Sequence, residues 1–142
     1  MENEIATFES TCSHCGKVYP TPQLPDMSYG EFIFCSSDGS VYAHCDALSA
    51  SAKLIEVLLP ADSSADLFQS ALAQLADPIL GRTLTPEVHC PHCGSAERES
   101  WGGKKIGAMW VKPTTYDGLI ALKRDELIRK VNELVENRNP QQ

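Results

Sequence analysis

Apolar and polar positions change period several times along this 142-residue chain, and each change predicts an element. Ile5 to Thr11 alternates loosely, as a half-buried strand does, and Val18 and Tyr19 return from the turn that follows. Pro20-Thr21-Pro22-Gln23-Leu24-Pro25 then reads as a loop, because three prolines remove backbone donors and fix φ. Glu31-Phe32-Ile33-Phe34-Cys35 and Val41-Tyr42-Ala43-His44-Cys45 flank Ser36-Ser37-Asp38-Gly39-Ser40, and Asp-Gly between β-rich runs predicts a hairpin. With a two-residue Asp38-Gly39 turn, Cys45 lies opposite Phe32, so Cys35 and Cys45 point to opposite faces.

The period then becomes helical. Asp46 can cap a helix running to Leu59, with Leu48, Ala52, Ile55 and Leu59 on one face and Pro60 as its stop. A second helix, Ser64 to Ala76, carries Leu67, Phe68, Ala71, Leu72 and Leu75 as a wide apolar stripe, and Asp77-Pro78 closes it. Further on, Ala96–Trp101 and Ile106–Lys112 bracket Gly102-Gly103-Lys104-Lys105 and read as another hairpin. Residues 114–123 have no clear period. The last helix, Arg124 to Asn137, sets Leu127, Ile128, Val131, Leu134 and Val135 on one face.

Two cysteine pairs of the same local form interrupt these elements: Cys12-Ser13-His14-Cys15-Gly16 and Cys90-Pro91-His92-Cys93-Gly94. Thiolates two residues apart can share one tetrahedral metal from a tight turn, and the glycine after the second lets the backbone curl beneath the sulfur. Each pair is half of a four-thiolate site, and the shared His and Gly strengthen the pairing of the two halves. Cys12-Ser13-His14-Cys15-Gly16-Lys17-Val18-Tyr19 resembles the first knuckle of zinc-ribbon and rubredoxin-like proteins, and Val88-His89-Cys90-Pro91-His92-Cys93-Gly94 resembles the second. The resemblance covers about a third of the chain. It implies Cys12, Cys15, Cys90 and Cys93 as ligands of one ion, a structural zinc or, as in rubredoxin-like sites, an iron. Seventy-four residues separate Cys15 from Cys90, so an insertion with its own structure has to bring the knuckles together.

The expected fold class is therefore α+β in a single domain, 1–142: zinc-ribbon-like hairpins from residues 5–20 and 84–112, a hairpin-plus-two-helix insertion over 21–83, and a C-terminal helix over 124–137. The Cys-Pro-His-Cys tetrapeptide is also used by thioredoxin-like oxidoreductases. There the pair opens a helix early in the chain, whereas here 49 residues remain after Cys93 and Gly94 is a poor helix continuation. Disulfides are the other rival. Met1–Ser10 is acidic and lacks an apolar run, so no signal peptide is expected; a cytoplasmic setting, with thiols kept reduced, follows.

Cys35 and Cys45 read best as buried core thiols, with metal ligation the lesser reading. His14 and His92 fall beside the thiolates as hydrogen-bonding or solvent-facing groups, and His89 is a spare donor. No Ser-His-Asp order, phosphate loop or carboxylate pair stands out, and four thiolates leave a bound ion no open position, so no enzymatic activity is expected.

Charge sharpens the functional classes. The formal net charge is −7, but residues 1–94 hold 3 Lys and Arg against 12 Asp and Glu, while residues 95–142 hold 9 against 7. Phosphate contacts need accumulated cations, so the skew disfavours nucleic acid as the partner of the body of the protein. It favours a basic protein partner. Trp101, Trp110, Lys104, Lys105 and Lys112 still place aromatics and cations on one predicted hairpin, as in single-strand nucleic-acid binders, although a strand Trp is more often core. No apolar stretch approaches the length of a membrane span. A non-catalytic zinc-binding adaptor or immunity-type inhibitor with an acidic binding surface is the first expectation; an iron electron carrier and a nucleic-acid-binding ribbon are the alternatives.

Overall fold

The computed structural model describes residues 3–25, 28–99 and 103–138. Strands β1 (Asn3–Thr11), β2 (Val18–Pro22), β3 (Glu31–Ser36), β4 (Tyr42–Asp46), β5 (Leu84–Thr85) and β6 (Lys105–Pro113) form one sheet in the order β2-β1-β6-β4-β3-β5. Every neighbouring pair is antiparallel except β4 and β6, which run parallel through Ala43 and Lys112. Helices α1 (Ala50–Leu58), α2 (Ala65–Gln74), α3 (Asp117–Ile120) and α4 (Arg124–Arg138) complete an α+β fold. Among the described residues no helix is long and apolar enough to cross a membrane.

The central hairpin has the register that its two-residue turn predicts, with Cys35 beside Tyr42 and Phe32 beside Cys45. Phe34, Ala43 and Cys45 meet Ala52 and Ile55 of α1, Leu67, Ala71 and Leu72 of α2, and Val131 and Leu134 of α4 in the main core. Helix α1 starts later than the pattern implies. Ser49, not Asp46, is its N-cap, accepting from the Ala52 N–H at 3.2 Å. Asp46 still ends β4, and its carboxylate accepts from the Leu48 N–H, which turns the chain before the helix begins. Leu48 is consequently left off the buried face and is 65% exposed. The Ser64 hydroxyl caps α2, and the aperiodic stretch before α4 contains α3.

Two expectations fail. The first half of the proline segment, Pro20–Pro22, belongs to a strand, β2, rather than a loop, whereas Gln23, Leu24 and Pro25 lie outside any strand, as expected. Cys12 N–H donates to the Lys17 carbonyl and Gln23 N–H to the Ala6 carbonyl, both at 3.0 Å. Antiparallel bonding alternates, so Tyr19 and Thr21 face β1 while Val18, Pro20 and Pro22 face outward. Both prolines occupy positions whose missing N–H the ladder does not use, on an edge strand where proline is tolerated.

The hairpin expected from Ala96–Trp101 and Ile106–Lys112 also does not form. Residues 97–99 pair with the end of β1, through Ser13 N–H to Glu97 and Glu99 N–H to Thr11, and β6 pairs with the rest of it. The two arms lie in series along one strand, not against each other. The nine-residue β1 has a second edge to fill, and pairing both arms to it satisfies backbone groups that a separate hairpin would leave open. Ser100, Trp101 and Gly102 fall outside the described residues. Trp110 is not core: it stands 65% exposed on β6, across from Glu4.

Candidate metal centre

Each knuckle is built by the same two backbone hydrogen bonds, and in each an N–H is directed at the first sulfur, from the third residue on in one knuckle and the second in the other. In the first, the Cys12 N–H reaches the Lys17 carbonyl at 3.0 Å, the Gly16 N–H returns to the Cys12 carbonyl at 2.9 Å, and the Cys15 N–H points at the Cys12 sulfur at 3.5 Å. In the second, Cys90 N–H reaches the Ser95 carbonyl at 2.8 Å, Gly94 N–H the Cys90 carbonyl at 2.7 Å, and His92 N–H the Cys90 sulfur at 3.4 Å. Gly16 and Gly94 both take left-handed φ, +75° and +81°, which is why glycine follows the second cysteine in each pair. Repetition in the sequence has become repetition in geometry.

The four sulfurs of Cys12, Cys15, Cys90 and Cys93 lie within 4.8 Å of one another. Cys12 and Cys93 sulfurs are 3.6 Å apart and those of Cys15 and Cys90 are 3.8 Å apart. A tetrahedral ion with metal–sulfur bonds of about 2.3 Å would space its sulfurs by about 3.8 Å, so the donor set fits a single ion. Zinc and iron both accept four thiolates. Cys12 and Cys90 are fully buried, Cys15 is half-buried and Cys93 exposed, so one side of the cluster faces solvent. The Cys15 N–H, with help from the His14 N–H and against burial, draws the Cys12 thiol down to about 6. The Ser95 N–H draws Cys93 the same way, but burial and the neighbouring cysteines outweigh it and push that thiol up to about 12. Four crowded sulfurs cannot all ionise without a cation between them.

Three side chains around the cluster support it without binding an ion. His89 is not a donor to the cluster; its Nδ1 donates to the Gly94 carbonyl at 2.8 Å and its Nε2 lies 3.2 Å from the Thr85 hydroxyl, tying the second knuckle to β5. His92 Nε2 donates to the outward carbonyl of Val18 at 3.3 Å and so links the knuckles across the site. Tyr19 is buried against Cys12 and Cys90 as the floor of the small metal-side core. His14 is exposed.

Gly39, read from sequence only as a turn residue, is pressed onto the second knuckle. A side chain there would collide with the His89 carbonyl oxygen and come within 2.7 Å of the Cys90 carbonyl carbon. The tip of the β3–β4 hairpin therefore holds the knuckle in place. Cys35 lies near the centre, its sulfur accepting from the His89 N–H at 3.5 Å, but it is not among the clustered sulfurs. Cys45 faces the helical core, 3.6 Å from the Tyr116 hydroxyl. The opposite-face reading of these two thiols holds. Comparison of the chain with protein-family models, with curated proteins and with solved structures returned no match.

Proposed function

We propose that this is a non-catalytic zinc-binding protein in which one ion, held by Cys12, Cys15, Cys90 and Cys93, pins the ends of a sheet, and whose acidic surface engages a basic protein partner. The observation that carries the reading is the closed set of four sulfurs within 4.8 Å, contributed by knuckles on opposite sides of the hairpin-and-helix insertion. Such an ion has no position left for water or substrate, so its contribution is structural. The acidic side of the reading rests on the exposed carboxylates Glu4, Glu9, Asp46, Glu56, Asp62, Asp66 and Glu87, all within the cation-poor first two thirds. An adaptor or an immunity-type inhibitor of a basic enzyme fits this surface.

Metal analysis of protein purified without added metal should return one zinc per chain and no visible absorption. Stoichiometric iron with a thiolate-to-iron band would replace this reading with the electron-carrier one. Tagged protein at native abundance should enrich basic proteins, with the interaction weakening as salt rises; enrichment of acidic proteins alone would overturn the partner class. A nucleic-acid role draws on one observation, the exposed Trp110 with Lys105 and Lys112 on the same strand. A salt-dependent shift with single-stranded RNA or DNA, lost in Lys104→Glu/Lys105→Glu, would favour it.

A further inference from the structure

Strand β3 is covered on its outer side by β5 at two residues only, Cys35 and Ser36. Ser36 N–H donates to the Val41 carbonyl and Ala47 N–H to the Gly30 carbonyl, so the even-numbered residues of β3 bond to β4. Glu31 and Ile33, one strand period apart, therefore turn their N–H and C=O groups the other way, and among the described residues no strand meets them there. Continued in register, β5 would set Glu87 against Ile33. It does not continue, because the Thr85 hydroxyl bonds both the carbonyl and the N–H of Glu87, at 3.0 and 3.3 Å, and turns the chain away. Between the diverging segments lies a cleft of about 500 Å³, with Phe32 and Ile33 on one wall, Glu87 and Val88 on the other, and Leu24 and Arg98 across it.

That volume falls within the range of ligand clefts, and its most specific feature is the open strand edge, a template that an extended backbone satisfies. Apolar side chains flank the edge. Two carboxylates, Glu31 and Glu87, line the cleft against one described cation, Arg98, and Glu31 already holds the His44 ring at 2.7 Å. The exposed Glu87 carboxylate stands at the point where an added strand would pass.

We propose that this cleft takes an extended, lysine- or arginine-bearing peptide segment of a protein partner, added antiparallel to β3 where β5 leaves it. Its backbone pairs with Ile33 and Glu31, its alternate apolar side chains rest on Phe32 and Val88, and a cationic side chain meets Glu87. The inference rests on the basic-partner reading above and assigns that partner a place on the molecule. Because Val88 leads directly into the second knuckle, metal loading fixes one wall.

The test uses zinc-loaded protein and a fluorescein-labelled, capped hexapeptide alternating valine and lysine, read by anisotropy at low salt. The expected result is saturable binding, weakened at least tenfold when lysine is replaced by glutamate. Methylating alternate backbone nitrogens should weaken binding tenfold in one frame and leave it nearly unchanged in the other. Glu87→Lys should raise the dissociation constant at least tenfold with zinc content unchanged, and the Ile33 amide signal should shift and gain exchange protection. Equal binding of the glutamate peptide, indifference to both methylation frames, or shifts confined to the helices would overturn the proposal. So would a dimer in sedimentation that Ile33→Pro dissociates, since a second copy would then occupy the edge. If the peptide fails to bind while a basic partner is captured equally by wild type and Glu87→Lys, the cleft assignment falls and the basic-partner reading stands.

Discussion

Gly39 is subject to two independent constraints. Its φ of +75° is unfavourable for any side chain, and the space where a Cβ would sit is filled by the backbone of His89, Cys90 and Pro91. Gly39→Ala should therefore cost about 2–4 kcal/mol and, unlike an ordinary turn substitution, loosen the second knuckle. The check is urea denaturation together with the rate of zinc transfer to a chelator. A destabilised variant with unchanged zinc transfer would separate the turn from the metal centre. Among the cysteines, Cys12→Ser and Cys90→Ser should each lose the metal, whereas Cys35→Ser should keep one equivalent. The reverse pattern would mean that the ligands are wrongly assigned.

Cys35 also titrates in an informative direction. Burial pushes its thiol up to about 11, above the unfolded value of about 8.5. The folded state thus keeps a proton that the unfolded state gives up, so stability is full below that unfolded value and is lost as pH rises toward 11. Burial moves Cys45, Tyr42 and Tyr116 the same way. Denaturation midpoints should fall between pH 9 and 11, with Cys35→Ser losing less than wild type by about 2–3 kcal/mol. Parallel pH profiles for the two proteins would remove Cys35 as a cause.

At the scale of elements, the helices depend on serine caps and the sheet on where its prolines fall. Ser64 Oγ accepts from the Leu67 N–H at 3.1 Å at the start of α2, which lends its apolar face to the main core. Ser64→Ala should cost about 1 kcal/mol, visible as a lower thermal midpoint with the metal content unchanged. A cost near zero would show that water replaces the cap without penalty. In β2, the outward carbonyls of Val18 and Pro20 are met by His92 and the Tyr42 hydroxyl, while Pro20 offers no N–H to a further strand. The edge is closed to sheet extension by its own sequence.

At the scale of the whole molecule, apolar burial is divided unequally. The main core joins all four helices to the central hairpin, whereas the metal-side core consists of Cys12, Tyr19 and Cys90, with Cys15 and Val88 against it. Three of those five residues are proposed ligands, so without an ion little apolar packing remains to hold the knuckles together. Structural zinc contributes roughly 10–16 kcal/mol of apparent binding energy in small fingers. Chelation should therefore expose residues 90–99 and the first knuckle to protease and hydrogen exchange, while the helical far-UV signal largely persists. Complete cooperative loss of that signal on chelation would show that the main core also depends on the metal.

Periodicity and turn chemistry were enough to locate the central hairpin in its register, α2 and α4 to within a residue or two, and the four clustered cysteines. Each of these is encoded locally, by 3.6- or 2-residue repeats, by Asp-Gly, or by a knuckle of five residues that closes on its own backbone. Sequence alone could not place the Ala96–Lys112 region, because whether two strand-like arms pair with each other or with a third strand depends on which edge lies open nearby. The same holds for the proline strand, for His89 as a brace rather than a ligand, and for the contact of Gly39 with Cys90. Those features join residues distant in the chain, and only the folded sheet, by bringing the hairpin tip and both knuckles to one end, decides what each of them touches.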